Sequence, residues 1–186
     1  MKNEQGLNPT LWRTCRILAG STRLALLRRV LKDPGQTVTR LAEAENLSLA
    51  RASQELRRLQ SRGLLQAERT GPWVRYRPLP DPQVPSARPI LQAVSEMVSR
   101  YPAAFDEQIL ATAAGLSQAR RIDVVRALRA GPAELARLRV LVPMPSISLW
   151  RHLRELEARG WVEQEGRRWK LAANDSPLAK CLLGLA

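Results

Sequence analysis

Residues 55–68 read ELRRLQSRGLLQAE and residues 152–165 read HLRELEARGWVEQE, so Leu56, Arg57, Leu59, Arg62 and Gly63 all recur 97 positions later. A leucine stripe ending in a glycine is what any two amphipathic helices would share. The correspondence runs well beyond that phrase. Arg23, Leu24, Leu27 and Arg28 are answered by Arg121, Ile122, Val125 and Arg126 at a shift of 98, and Arg40-Leu41 by Arg137-Leu138 at 97. The single-residue change falls at a turn, Gly131-Pro132. Ala52, Leu56 and Leu59 match Leu149, Leu153 and Leu156, and PILQAV (89–94) resembles PLAKCL (177–182). Several elements in one order, slipping once at a turn, are not chance. The chain reads as two copies of one small domain, residues 1–100 and 101–186.

The periodicity of the first copy predicts its elements. Leu11, Cys15 and Leu18 mark one short amphipathic helix, and Leu24, Leu27 and Leu31 a second that stops at Lys32-Asp33-Pro34-Gly35. Thr37 can cap a third helix through Leu41 and Ala44, and Ser48 a fourth with Ala52, Leu56 and Leu59 inward. Only Asn46-Leu47 separates the third from the fourth, which requires a helix–turn–helix. After Gly63 the period shortens, and LLQAER and WVRYRP read as a hairpin around Thr70-Gly71-Pro72. Residues 78–89, PLPDPQVPSARP, are expected to be an extended connector. A helix opened by Pro89 then runs from Ile90 to about Arg100. The second copy repeats this order, with hairpin strands WVEQE and RWKLA around Gly166-Arg167.

Fold class follows: mainly α with small β-hairpins, as tandem winged helix–turn–helix domains. Within that class the sequence resembles the ArsR-type transcriptional repressors. The stretches that carry the likeness are Leu18-Ala19-Gly20-Ser21-Thr22-Arg23-Leu24-Ala25-Leu26-Leu27 and Ser146-Ile147-Ser148-Leu149-Trp150-Arg151-His152-Leu153. It covers residues 9–100, and 104–186 more loosely. The resemblance implies a DNA-binding repressor whose units pair through their first and last helices. Because one chain holds two units, it further implies a pseudo-dimer folded from one polypeptide. The family's metal sensors place paired cysteines by the recognition helix. This chain has only Cys15 and Cys181, far apart, and one histidine, His152, so no metal and no cofactor are expected.

Charge agrees with that implication. Thirty Lys plus Arg against seventeen Asp plus Glu give a net charge of +13, which favours a polyanionic partner, here double-stranded DNA. Two lone cysteines, no long apolar run and no apolar stretch in MKNEQGLNPT lead to the expectation of a cytoplasmic protein with no membrane contact.

The early part of a recognition helix enters the major groove, where Arg pairs with guanine and Gln with adenine edges. With Ala52, Leu56 and Leu59 inward, the outward set is Ser48, Ala50, Arg51, Ser53, Gln54, Arg57 and Arg58. The second copy offers Ser146, Ser148, Trp150, Arg151 and Arg154, with His152 on the flank. The wings offer Arg69, Arg75 and Arg77, then Arg167, Arg168 and Lys170, as phosphate contacts. Trp73 and Trp169 are expected to pack across their strands. Arg58 and Arg62 each have Glu55 within reach along the helix.

Other functions are weighed on the same residues. Tandem winged helices also serve as protein-docking subunits of chromosome-segregation or transcription machinery, and the outward arginines argue against that reading. An enzyme is not expected, given one histidine and no paired-carboxylate, nucleophile or phosphate-loop motif. A small-molecule effector would leave no mark legible here. The chain is expected to act as a monomeric pseudo-dimer or as a homodimer.

Overall fold

The computed structural model describes residues 10–186, so the reading of the extreme N-terminus as non-secretory falls on residues outside those described. Local signals form the first unit much as the pattern demands: α1 (Leu11–Leu18), α2 (Ser21–Lys32), α3 (Val38–Ala44) and α4 (Leu49–Gln60). The strands β1 (Gln66–Thr70) and β2 (Trp73–Arg77) and the helix α5 (Ala87–Arg100) complete it. Thr37 Oγ1 accepts from the Arg40 amide at 3.3 Å and Ser48 Oγ from the Arg51 amide at 3.2 Å, so both expected caps are made. Asn46 turns the corner between α3 and α4 with φ of 52°, and the Leu47 amide closes it on the Ala42 carbonyl at 2.8 Å.

After a 3-10 turn at Ala103–Phe105 the second unit repeats the order: α6 (Asp106–Gly115), α7 (Ala119–Leu128), α8 (Leu135–Leu141), α9 (Ser146–Glu157) and α10 (Pro177–Leu185). Its strands are β3 (Ala133–Glu134), β4 (Val162–Glu165) and β5 (Arg168–Leu171). The sheet order is β3-β5-β4, one strand more than the expected hairpin. Two residues carry no readable alternation, so β3 had no sequence signal. Its counterpart in the first unit is a single bridge from Thr37 to Arg75.

Two expectations need correction. The proline-rich stretch is folded rather than extended: the Asp81 amide bonds the Gly63 carbonyl at 2.9 Å, and Val84 is buried. Gly63 serves this packing twice. Its φ of 70° ends α4, and a Cβ there would lie 3.0 Å from the Cβ atoms of Asp81 and Val84. Second, α5 starts at Ala87, three residues before Ile90. Pro89 is therefore in the first turn, where an amide has no intrahelical acceptor and its loss costs nothing.

The units lie against each other through α1 with α6 and α5 with α10, and buried side chains from both form one contiguous core. Arg28 on α2 is central to this seam. Its guanidinium grips both Asp106 carboxylate oxygens at the start of α6. It also donates to the carbonyls of Val98 at 3.2 Å and Tyr101 at 3.0 Å, closing the end of α5. Its counterpart Arg126 donates to the Ala186 carbonyl at the end of α10. Among the described residues no helix is long and apolar enough to cross a membrane.

Candidate nucleic-acid interface

Helix α4 buries Ala52, Leu56 and Leu59 completely. A 3.6-residue repeat then leaves Ser48, Ala50, Arg51, Gln54, Arg57 and Arg58 exposed and Ser53 half-buried. The expected face is therefore turned outward. Its arginines differ in how far they are engaged. Arg58 donates to Glu55 at 2.8 Å, whereas Arg57 folds along its own helix onto Ser53 at 3.0 Å and Arg51 approaches only Thr22. Arg51 and Arg57 have no carboxylate partner among the described residues. Arg62 does not reach Glu55. That carboxylate is taken by Arg23 from α2 at 2.9 Å, and the Nε of the half-buried Arg62 finds no acceptor among the described residues.

Glu55 is the polar anchor of the helix. Burial alone raises its pKa, but the hydrogen bonds and charges of Arg23 and Arg58 outweigh that and hold it below the ordinary carboxylate value. The pair fixes α4 on α2, and thereby the direction in which Arg51 and Gln54 point.

Between α4 and the β1–β2 wing lies a cleft of about 860 Å³, lined by Thr37, Leu49, Ser53, Arg57, Arg69 and Trp73 among others. Trp73 is 52% exposed at the wing tip, opposite Thr70, so it does not bury itself across the strands as expected. Tyr76 does that instead, from the opposite face of β2. Arg69 is exposed and unpaired by any carboxylate among the described residues, whereas Arg77 is bonded to Glu68 at 2.8 Å. Arg75 is half-buried and donates to the Gly35 carbonyl at 3.0 Å, tying the wing to the turn before α3. It is a structural bond more than an available cation.

The second unit departs from this pattern. Arg151 is exposed, Arg154 is paired with Glu157, and Ser146, Ser148 and His152 are half-buried. Trp169 is buried in the core rather than paired across the wing surface, and Trp150 packs edge-on against it with ring centroids 5.7 Å apart. Trp150 still leaves 45% of its surface exposed, as Ile147 on the same helix does at 82% and Val140 on α8 at 68%. The aligned positions of the first unit hold Ser53, Ala50 and Glu43. On the wing, Arg167 and Arg168 are exposed, while Lys170 is held across the hairpin by Glu163 at 3.3 Å and Glu165 at 3.1 Å. The pattern places Trp150 outward on α9 but gives no signal that Ile147 and Val140 are exposed with it, because their exposure is set by how α8 and α9 pack.

Residues 21–66, from α2 to the start of β1, match the family described as winged helix-turn-helix DNA-binding. This segment is a winged helix–turn–helix DNA-binding domain. Neither the curated proteins nor the solved structures give a match to the chain. Within the winged helix, α4 is the second helix of the helix–turn–helix and β1–β2 the wing.

Proposed function

We propose that the protein is a sequence-specific double-stranded DNA-binding transcriptional regulator, a repressor of ArsR-like plan that does not sense metals, with both units in one chain acting as a pseudo-dimer. The observation that carries this is the exposed Arg51-Gln54-Arg57 face of α4 within a matched winged helix–turn–helix. The packing of α1 on α6 and α5 on α10 supports the pseudo-dimer, since these are the first and last helices of each unit. In this reading residues 1–100 and 101–186 are the two modules, with α4 the principal reader. Arg51 and Gln54 address base edges, and Arg57, Arg69, Arg167 and Arg168 address phosphates. Arg151 extends the contact from α9. Because Gln54-Glu55 in one unit stands where Arg151-His152 stands in the other, the preferred site is an imperfect palindrome. Selection of bound oligonucleotides tests this: a fully symmetric best site bound by one chain contradicts it. Transcription from a promoter carrying the selected site falls on adding the protein if it is a repressor and rises if it is an activator.

A second reading rests on Val140, Leu141, Ile147 and Trp150. Exposed apolar groups in a cluster mark protein contacts more often than groove contacts. The second unit would then dock a protein while the first binds DNA. Truncating Ile147 and Trp150 separates the readings: a site half-read by α9 loses its specificity in that half, whereas a docking face loses only its partner.

A further inference from the structure

The repeat supplies its own control for one buried arginine. In the first unit, Arg23 is fully engaged: it donates to the Ile17 carbonyl at 2.5 Å, the Arg16 carbonyl at 3.4 Å and Glu55 at 2.9 Å. It does so by folding back over Gly20, where a Cβ would overlap its guanidinium. The second unit changes both conditions. Position 118 is Gln, whose side chain bars the same fold-back, and position 152 is His where the first unit has Glu55. Arg121 is consequently buried, at 5% exposure, with Nη2 on Ser117 at 2.9 Å, a long 3.4 Å contact to Glu155, and no acceptor for Nε among the described residues. Glu155 is already bonded to Arg159 at 2.6 Å. A buried guanidinium with an unmet donor is a costly arrangement.

Two cavities of about 500 and 520 Å³ meet at Ser117, Gln118 and His152. The first is walled by Arg121, Arg151 and Glu155, and the second by Trp12 and Arg16 of the first unit together with Arg120. The start of α7 opens here without a side-chain cap, and its free amides add partial positive charge. Among the described residues Glu155 is the one carboxylate lining either cavity, against five arginines, Arg16, Arg120, Arg121, Arg151 and Arg159. The field is felt by His152, whose imidazole is pushed below its ordinary pKa by burial and by Arg121, Arg151 and Arg120, with Glu155 opposing.

We propose that the cavity between α1, the start of α7 and α9 binds a small oxyanion, a carboxylate or phosphate, held by Arg121, Arg151 and Arg16. The ligand would touch the first unit through α1 and the second through the helix that carries Arg151. Its occupancy therefore bears on how α9 is presented, which is the place for an effector. The inference does not require the DNA reading, because anion binding is measured without DNA.

The chain has one histidine, which makes the test unambiguous. Ring-proton resonances of His152 are followed by NMR while inorganic phosphate, or benzoate, replaces chloride at fixed ionic strength. The expected result is saturable binding, with a dissociation constant on the order of 1 mM or tighter, and a rise of the His152 pKa as the anion offsets the arginines. A response that is linear and equal for chloride overturns the proposal. His152→Glu restores the carboxylate of the first unit and is expected to weaken phosphate binding at least about tenfold by calorimetry, a difference near 1.4 kcal/mol, without lowering Tm. Arg151→Gln, at an exposed position, is expected to weaken binding several-fold with an unchanged fold. Wild-type affinity in both variants overturns the assignment. Repeating the titration with a duplex oligonucleotide tells the sources apart: competition identifies a backbone phosphate as the natural anion, and simultaneous binding identifies a free effector.

Discussion

Which cations are free decides how DNA binding should respond to salt. Of the basic side chains near the proposed interface, Arg58, Arg77, Arg154 and Lys170 are paired with Glu55, Glu68, Glu157 and the Glu163–Glu165 pair respectively. Arg75 is bound to a backbone carbonyl. Arg51, Arg57, Arg69, Arg151, Arg167 and Arg168 remain exposed without a carboxylate partner among the described residues. A cation already neutralised by a carboxylate releases fewer counterions on reaching a phosphate. The four of these that address phosphates, Arg57, Arg69, Arg167 and Arg168, at roughly 0.9 each, give a slope of about −3.6 in log Kobs against log salt, or a loss of about two decades between 50 and 200 mM. Fluorescence anisotropy with a labelled duplex over that range measures it. Arg69→Ala should shallow the slope by nearly 1, and Arg167→Ala and Arg168→Ala likewise, whereas Arg77→Ala should leave it nearly unchanged. A slope close to zero, or an Arg77→Ala effect larger than that of Arg69→Ala, refutes the reasoning that pairing selects the contacts.

The seam and the core give further expectations. Asp106→Ala leaves the buried Arg28 with only two carbonyl acceptors. Loss of a buried partner costs about 3–5 kcal/mol, and because Asp106 is partly exposed and the carbonyls remain, about 2 kcal/mol is expected, a Tm fall of roughly 4–8 °C by calorimetry. Ser48→Ala should lower stability by about 1 kcal/mol in urea unfolding through loss of the α4 cap. The Cys15 thiol, pushed up to about 12 mainly by burial with the neighbouring Cys181 adding to it, should resist alkylation by iodoacetamide at pH 8 until the protein unfolds. Glu55 is depressed in the folded state, so its stabilisation is present above the unfolded carboxylate pKa and is lost as pH falls through the lower folded value. Glu55→Gln should flatten that acid limb of the stability curve.

Much of the scaffold was legible because its signals are local. Thr37 and Ser48 cap where the pattern places them, Gly63 ends α4 in the left-handed region, and Ala52, Leu56 and Leu59 are wholly buried. The errors fall where a distant partner decides. Residues 78–89 looked like a connector because prolines resist helix, yet Asp81 and Val84 fold onto Gly63, which is remote in sequence. Strand β3 forms only because β5 lies beside it. Trp73 and Trp169 read alike as wing aromatics, but Trp73 sits in the pair that closes its turn and is exposed, whereas Trp169 lies one pair further in beside β3 and is buried.

Sequence alone determined a winged helix–turn–helix in the first part of the chain and a second helix–hairpin unit after it, since hydrophobic period, caps and turn residues act over a few neighbouring positions. Tertiary structure decided which arginines are spent within the fold and which are offered to a partner. It alone brought Arg28 to Asp106, Arg23 to Glu55, and Arg121 to a cavity with an unmet donor. Charge pairing depends on distance in space, and residues dozens of positions apart acquire that distance only when the helices pack.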